Sequence, residues 1–313
     1  MIENQITYLK TGNLLETIGN TPMIKLTNLA KNPKVKIYAK LEGFNPGGSV
    51  KDRPAYYIIK AAEASGELTK DKTIIEATSG NMGIALAMIG AIKGYKVELV
   101  VPSCVTVERK QILEAFGAQV FLTPGEEGTD GAIKNVKQII AKEHEKYYMP
   151  DQFQNINNVI SHYETTGPEI FYQTEGEIDI FITGIGSSGT IMGVGKYLKE
   201  KKPQIKVIGI EPQKGHSIQG LKNLEESIVP KIFDPAILDE KLTIRDEDAF
   251  NMSRLLAIEE GLLVGMSSGA VVAGAMKIAD SIKEGTIVTL LPDRGERYLS
   301  STLFRSICAK CPP

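Results

Sequence analysis

Short apolar runs of strand length alternate with stretches of helical spacing along almost the whole chain. Residues 35–41, 73–76, 97–101, 119–123, 178–183, 207–210 and 286–291 read as strands. Between them, 83–93, 107–116, 131–142, 158–173, 190–199, 247–260 and 270–283 carry apolar residues at helical intervals. This rhythm predicts an α/β fold in which parallel sheets are covered by helices on both faces. Spread over 313 residues, it fits two such sheets. A break at MPDQFQNINN places a boundary near 150–157, and the polar stretch 220–230 reads as a surface loop.

The small residues fall in a second pattern. Four times an extended run gives way to a Gly/Ser-rich turn that opens a helix. The turns are Asn45-Pro46-Gly47-Gly48-Ser49-Val50-Lys51, Thr78-Ser79-Gly80-Asn81-Met82-Gly83, Gly184-Ile185-Gly186-Ser187-Ser188-Gly189-Thr190 and Gly265-Met266-Ser267-Ser268-Gly269. In parallel sheets such turns gather at the carboxyl edge, where ligands bind. Each offers backbone N–H groups, hydroxyls and a helix N-terminus to phosphate or carboxylate. A ligand with several anionic groups is the expectation.

One of these loops has a competing reading. Gly184-x-Gly186-x-x-Gly189 follows a strand, opens a helix and is followed by Glu211, which is the context of a dinucleotide fingerprint and of a NAD-dependent oxidoreductase. That reading explains neither a lysine inside a second glycine turn nor the Thr-Ser-Gly-Asn turn. The Ser187-Ser188 pair and Thr190 suit a terminal phosphate monoester better. Lys51, at a helix start whose positive end lowers the pKa of an ammonium, is the residue type that Schiff-base chemistry requires.

Composition adds exclusions. With 36 basic and 38 acidic residues the net charge is −2, which gives no electrostatic pull toward nucleic acid or anionic lipid. No apolar run has membrane-spanning length and the start lacks a signal core, so a cytoplasmic protein is expected. Three cysteines make no disulfide framework. Cys308-x-x-Cys311 lacks the four ligands of a zinc site and reads as tail, and no metal is expected. Cys104 reads as semi-buried filler, and His216 as orienting backbone near a loop.

The string Asn45 to Arg53, with the three partner loops in order, resembles the cysteine synthase and cystathionine β-synthase family of fold type II pyridoxal 5′-phosphate enzymes. The likeness runs from Ile18-Gly19-Asn20-Thr21-Pro22 to Tyr298-Leu299-Ser300. It implies two three-layer α/β domains with the site in the cleft between them: a smaller, mobile one over 45–150, and a larger, cofactor-binding one over 1–44 and 151–313. Lys51 resembles the Schiff-base lysine and the base at Cα, and Asn81 the partner of the phenolic oxygen. Gly186, Ser187, Ser188, Gly189 and Thr190 resemble the phosphate cup, and Ser267 the partner of the pyridine nitrogen. Thr78, Ser79, Gly80, Met82 and Gln152 resemble the substrate-carboxylate site, with Lys222 in the loop that faces the sulfur donor.

What the resemblance implies is β-replacement of O-acetylserine or another activated serine with sulfide, through an α-aminoacrylate, to give cysteine. The strings 210–220 and Asp293-Arg294-Gly295-Glu296-Arg297-Tyr298 are most similar to B-type cysteine synthases. The same scaffold also serves a cysteine β-lyase, or a lanthionine or cystathionine synthase, that releases hydrogen sulfide. A homodimer is implied, and docking of serine acetyltransferase is left open. Two departures bear on specificity: Met82 replaces the usual threonine, and Glu225 and Glu226 are expected to oppose Lys222.

Overall fold

The computed structural model describes residues 10–78 and 80–304. In chain order the elements are β1 (Met23–Lys25), β2 (Val35–Leu41), α1 (Asp52–Ser65), β3 (Thr73–Ala77), α2 (Asn81–Lys93), β4 (Lys96–Pro102), α3 (Val107–Ala115) and β5 (Gln119–Thr123). Then follow α4 (Gly128–Lys142), β6 (Tyr147–Tyr148), α5 (Asn157–Ser161), α6 (Gly167–Gln173), β7 (Ile180–Gly184), α7 (Gly189–Lys201) and β8 (Lys206–Pro212). The described chain closes with β9 (Glu240–Ile244), α8 (Asp246–Glu260), α9 (Met266–Ser281) and β10 (Gly285–Leu291).

Two sheets result. The larger has the order β1-β2-β10-β7-β8-β9, parallel except for β1, and the smaller is β5-β4-β3-β6, parallel throughout. Period-2 alternation makes each sheet the middle of three layers. In β7, Ile182 joins a core with α9 and Phe181 joins another with α7. In β3, Ile74 packs toward α2 and Ile75 toward α4. Each such fully buried side chain stabilises the fold by about 1.5–3 kcal/mol. The layers are tight: a Cβ on Gly274 of α9 would lie 2.4 Å from Ile210 Cδ1 of β8.

All seven expected strands are present to within two residues at either end. The expected helix over 158–173 is divided: a π-helical turn, His162–Thr166, separates α5 from α6. Unforeseen were β1, β6 and β9. The first two hold three and two residues, and β9 is a largely exposed edge strand whose Glu240-Lys241 start masks any apolar pattern.

A buried charge network joins α1 to the large sheet. Arg53 donates to Glu42 at 2.7 Å through Nε and to Glu169 at 2.6 Å through Nη1. Lys40 Nζ lies 2.7 Å from Glu169 and donates to the Thr21 carbonyl. Arg53, Lys40 and Glu42 are all buried. The first turn of α1 is therefore anchored through Arg53 by charges that have left water together.

Candidate active site

Lys51 sits at the N-terminal boundary of α1. Its turn is held by Val50 N–H donating to the Pro292 carbonyl and by Gly47 N–H donating to Asp52. Gly48 has φ +79°, a conformation that favours glycine, and Arg297 crowds the space a Cβ would need. Lys51 Nζ reaches into a cavity and donates to Ser187 Oγ at 3.1 Å. Its ammonium is pushed down to about 8, and the cause is burial.

The 184–189 loop forms one wall. Ser188 holds φ 72°, and its buried Oγ has no protein partner. A Cβ on Gly186 would lie 2.5 Å from the Gly220 carbonyl, and one on Gly189 would lie 1.9 Å from Asn158 Oδ1. Asn158 Nδ2 donates to Ser187 Oγ at 3.0 Å and to the Gln152 carbonyl at 2.7 Å. Thr190 Oγ1 is hydrogen-bonded to His162 Nε2 at 3.2 Å, and His162 Nδ1 to Thr166 Oγ1 at 2.9 Å. Burial, then the charges of Arg53 and Lys51, hold His162 well below the ordinary imidazole range, so it is neutral. The first turn of α7 leaves backbone N–H groups without partners inside the helix. An unpaired hydroxyl beside such a turn is a donor set that fits a phosphate. Gly189→Ala is expected to lower phosphate-cofactor retention at least tenfold, read as absorbance after dialysis, with the circular dichroism of the fold intact.

Opposite lies the 78–83 loop. Thr78 Oγ1 accepts from Gly80 N–H at 3.1 Å and Gly83 N–H at 3.4 Å, so its hydroxyl is turned back on its own loop. Asn81 opens α2; its Nδ2 donates to Asp293 at 2.6 Å, and its Oδ1 accepts from Arg297 at 2.5 Å. Gly80 carries no side chain because the Arg109 guanidinium occupies that space. Met82 borders the cavity but buries its side chain in the core around α2. Ser267, in the first turn of α9, and Gln152 also line the cavity.

A single cavity thus takes in Lys51, Thr78, Gly80, Asn81, Met82, Gln152, Gly186, Ser187, Ser188, Thr190, Lys222 and Ser267. Gly189 lies behind them against Asn158, and Ser79 falls outside the described residues, as do Cys308 and Cys311. Lys222 is paired differently from expectation. Its Nζ lies 3.0 Å from Asp130 and 5.0 Å from the centre of the Phe153 ring, whereas Glu225 pairs with Lys214. Glu211 is buried at the end of β8, 2.8 Å from Lys241, and is absent from the cavity lining, which removes the dinucleotide reading. Cys104 is exposed in the turn after β4, not semi-buried.

Sequence reasoning missed Asn158, His162, Arg109, Asp293 and Arg297. Asn158 and His162 fall in a stretch read only as amphipathic helix. Arg109 touches the site through Gly80 and Gln219 and stacks over the Tyr298 ring at 4.6 Å, contacts no local spacing encodes. Asp293 and Arg297 belong to a string quoted above for its likeness, and that was the available signal.

Comparison with known proteins places this geometry. The chain is 46% identical over 299 residues to the cysteine synthase of Aquifex aeolicus, covering 93% of this chain and 91% of that one. It is 43% identical to cysteine synthase B of Salmonella typhimurium, over 93% and 95%. Among solved structures, O-acetyl serine sulfhydrylase isoform 3 of Entamoeba histolytica superposes with TM-score 0.90 at 40% identity, over 98% and 95%. A hydrogen sulfide-producing enzyme of Fusobacterium nucleatum gives 0.87 at 41%, over 93% and 100%. The family described as pyridoxal-phosphate dependent enzyme matches residues 14–293, and the chain belongs to it.

Proposed function

We propose that the chain uses pyridoxal 5′-phosphate to replace the acetoxy group of O-acetylserine with sulfide, giving L-cysteine and acetate. The observation that carries this reading is Lys51, an amine lowered to about 8 and hydrogen-bonded to Ser187 beside a phosphate-shaped loop. Ser187, Ser188, Thr190 and the start of α7 would hold the phosphate, Asn81 and Ser267 the ring, and Lys51 the carbonyl carbon. When bound, the cofactor supplies a conjugated sink for negative charge at the substrate Cα. Lys51 takes the Cα proton, acetate leaves Cβ with its bonding pair, sulfide adds at Cβ, and Lys51 returns the proton. The loop of Gly80 and Met82, with Gln152, orients the substrate carboxylate. His162 and Asn158 hold Thr190 and Ser187 in place.

Cysteine formation from O-acetylserine and sulfide tests the reading, and absence of cysteine with any sulfur donor would overturn it. A second reading, hydrogen sulfide release from cysteine, is favoured by the likeness to the Fusobacterium nucleatum enzyme. Sulfide evolved from cysteine faster than cysteine is made from O-acetylserine would establish it.

Attachment of the cofactor has a pH signature. The amine must be neutral to attack, and with a value of about 8 the neutral fraction rises about tenfold per pH unit below 8 and levels above it. The rate at which colour develops when cofactor is added to apoprotein is expected to follow that curve. An ordinary lysine would still be gaining at pH 10.

The arrangement also supports a smaller moving unit over residues 45–150 against 1–44 and 151–313, since the four-stranded sheet draws only on residues 73–148. Substrate-dependent compaction in small-angle scattering would reveal it. No helix among the described residues is long and apolar enough to cross a membrane. A cytoplasmic homodimer is the assembly we carry forward, to be checked by cell fractionation and by elution at twice the chain mass.

A further inference from the structure

The central strand β3 carries one charged residue, and it is wholly buried. Glu76 stands two positions before Thr78 and keeps none of its exposure. The Ala77 N–H donates to Glu76 Oε1 at 3.1 Å, and the peptide N–H groups of Gln152 and Asp151 also act on the carboxyl group. Oε2 is buried with no hydrogen-bond partner. Burial, then the charge of Asp151, pushes this carboxyl up to about 8, so it is mostly neutral at pH 7. A buried acid costs the fold more than an apolar side chain of similar size. Glu76 therefore stands in β3 for something other than packing.

What it acts on is the crossover from the small sheet to α5. Asp151 holds φ 47° there, a left-handed conformation uncommon outside glycine. The next residue, Gln152, is buried and lines the cavity. Its carbonyl accepts from Asn158 Nδ2 at 2.7 Å, and Asn158 also donates to Ser187, the partner of Lys51. The Gln152 main chain is thus gripped by Asn158 on one side and faced by Glu76 on the other. Thr78 and Gly80, which line the same cavity, follow Glu76 directly in the chain. We propose that Glu76 is a positioning residue, which sets the Gln152 main chain against the 78–83 turn and so fixes the seat of the α-carboxylate of the amino-acid substrate. This rests on the β-replacement reading above and names a residue that governs its first substrate without touching it. A group held this way controls the geometry of the side chains that do make contact.

The test uses the holoenzyme with Glu76→Met, which fills the space without an acceptor, and Glu76→Gln, which keeps a neutral acceptor. Glu76→Met is expected to raise KM for O-acetylserine at least tenfold, with KM for sulfide and the absorbance of bound cofactor unchanged. Glu76→Gln should restore KM to within about threefold of wild type. In a Gln152→Ala background, Glu76→Met should add less than about threefold, because the two residues act as one unit. An unchanged KM for O-acetylserine, an equal rise for sulfide, or effects that multiply in the double variant would each overturn the proposal. Should Glu76→Met not fold, Glu76→Gln carries the test through pH. The titratable groups acting on Glu76 are Asp151 on the crossover and Tyr148 on β6, and both variants keep them. The wild-type-to-Gln ratio of KM for O-acetylserine should then rise at least threefold from pH 7 to pH 9, as Glu76 ionises beside Asp151, and a flat ratio would remove the proposal. If O-acetylserine and sulfide yield no cysteine, it is the β-replacement reading that fails. Titration of the holoenzyme absorbance with L-alanine, which has no leaving group, then decides the role of Glu76: tenfold weaker binding in Glu76→Met sustains it, and equal affinity removes it.

Discussion

Replacing Lys51 with alanine is expected to lower turnover of O-acetylserine by about 10³-fold or more, the combined loss of the covalent anchor and of the base at Cα. A proton-transfer role alone contributes roughly 10²–10⁴-fold. The fold should survive, because Nζ makes one described hydrogen bond, to Ser187, while α1 is held through Arg53. Two measurements separate this residue from its neighbours. Borohydride should fix the cofactor to a peptide containing Lys51 in wild type and leave Lys51→Ala unlabelled. Added amines should restore part of the rate, since the missing group is a small base. A variant that keeps both full turnover and the covalent label would show that another lysine carries the chemistry.

The second large effect concerns stability. Arg53→Met removes the cation that faces Glu42 at 2.7 Å and Glu169 at 2.6 Å, both beneath the site. Glu42 would be left buried without its ion-pair partner, offset only by hydrogen bonds from Thr21 and Asn45 and the more distant charge of Lys40, a loss of about 3–5 kcal/mol. The pair Arg53→Met with Glu42→Gln should recover much of that loss, because the penalty belongs to the stranded charge, and a double-mutant cycle in urea measures it. The pH dependence has a definite sign. Arg53 beside them holds Glu42 and Glu169 below their ordinary values against the pull of burial. Their stabilisation is therefore present above the unfolded carboxylate pKa, about 4.3, and is lost as pH falls through the folded values. Arg53→Met should flatten that acid limb.

How far the sequence foretold these features depended on the range of the interaction. Strands buried on both faces, such as β3 and β8, are legible because burial demands a continuous apolar run. The four turns are legible because positive φ and close approach demand glycine, as at Gly48, Gly186 and Gly189. Interactions set by tertiary pairing leave no local trace. Lys222 finds Asp130, 92 residues away, rather than the nearby glutamates; Asn158 reaches Ser187, 29 away. The same holds for the cause of the lowered Lys51 ammonium. A helix end is visible in one dimension, whereas burial is a property of the closed cleft. Met82, singled out as a departure at the carboxylate loop, has its side chain in the α2 core, which explains how that loop accepts a non-polar residue.

The strand order of the large sheet has a consequence for synthesis. β10, the last strand to leave the ribosome, is neither edge nor end of the sheet; it lies between β2 and β7. Until residue 291 emerges, β2 and β7 each present an unpaired edge made of core residues, in strands made far earlier. The small sheet, whose strands all lie within residues 73–148, has no such wait. From residue 184, where β7 ends, until residue 291 a nascent chain thus carries one finished sheet and one open seam. Truncation between β9 and β10 leaves a molecule with Lys51 present and Leu290 and Pro292, which line the same cavity, missing.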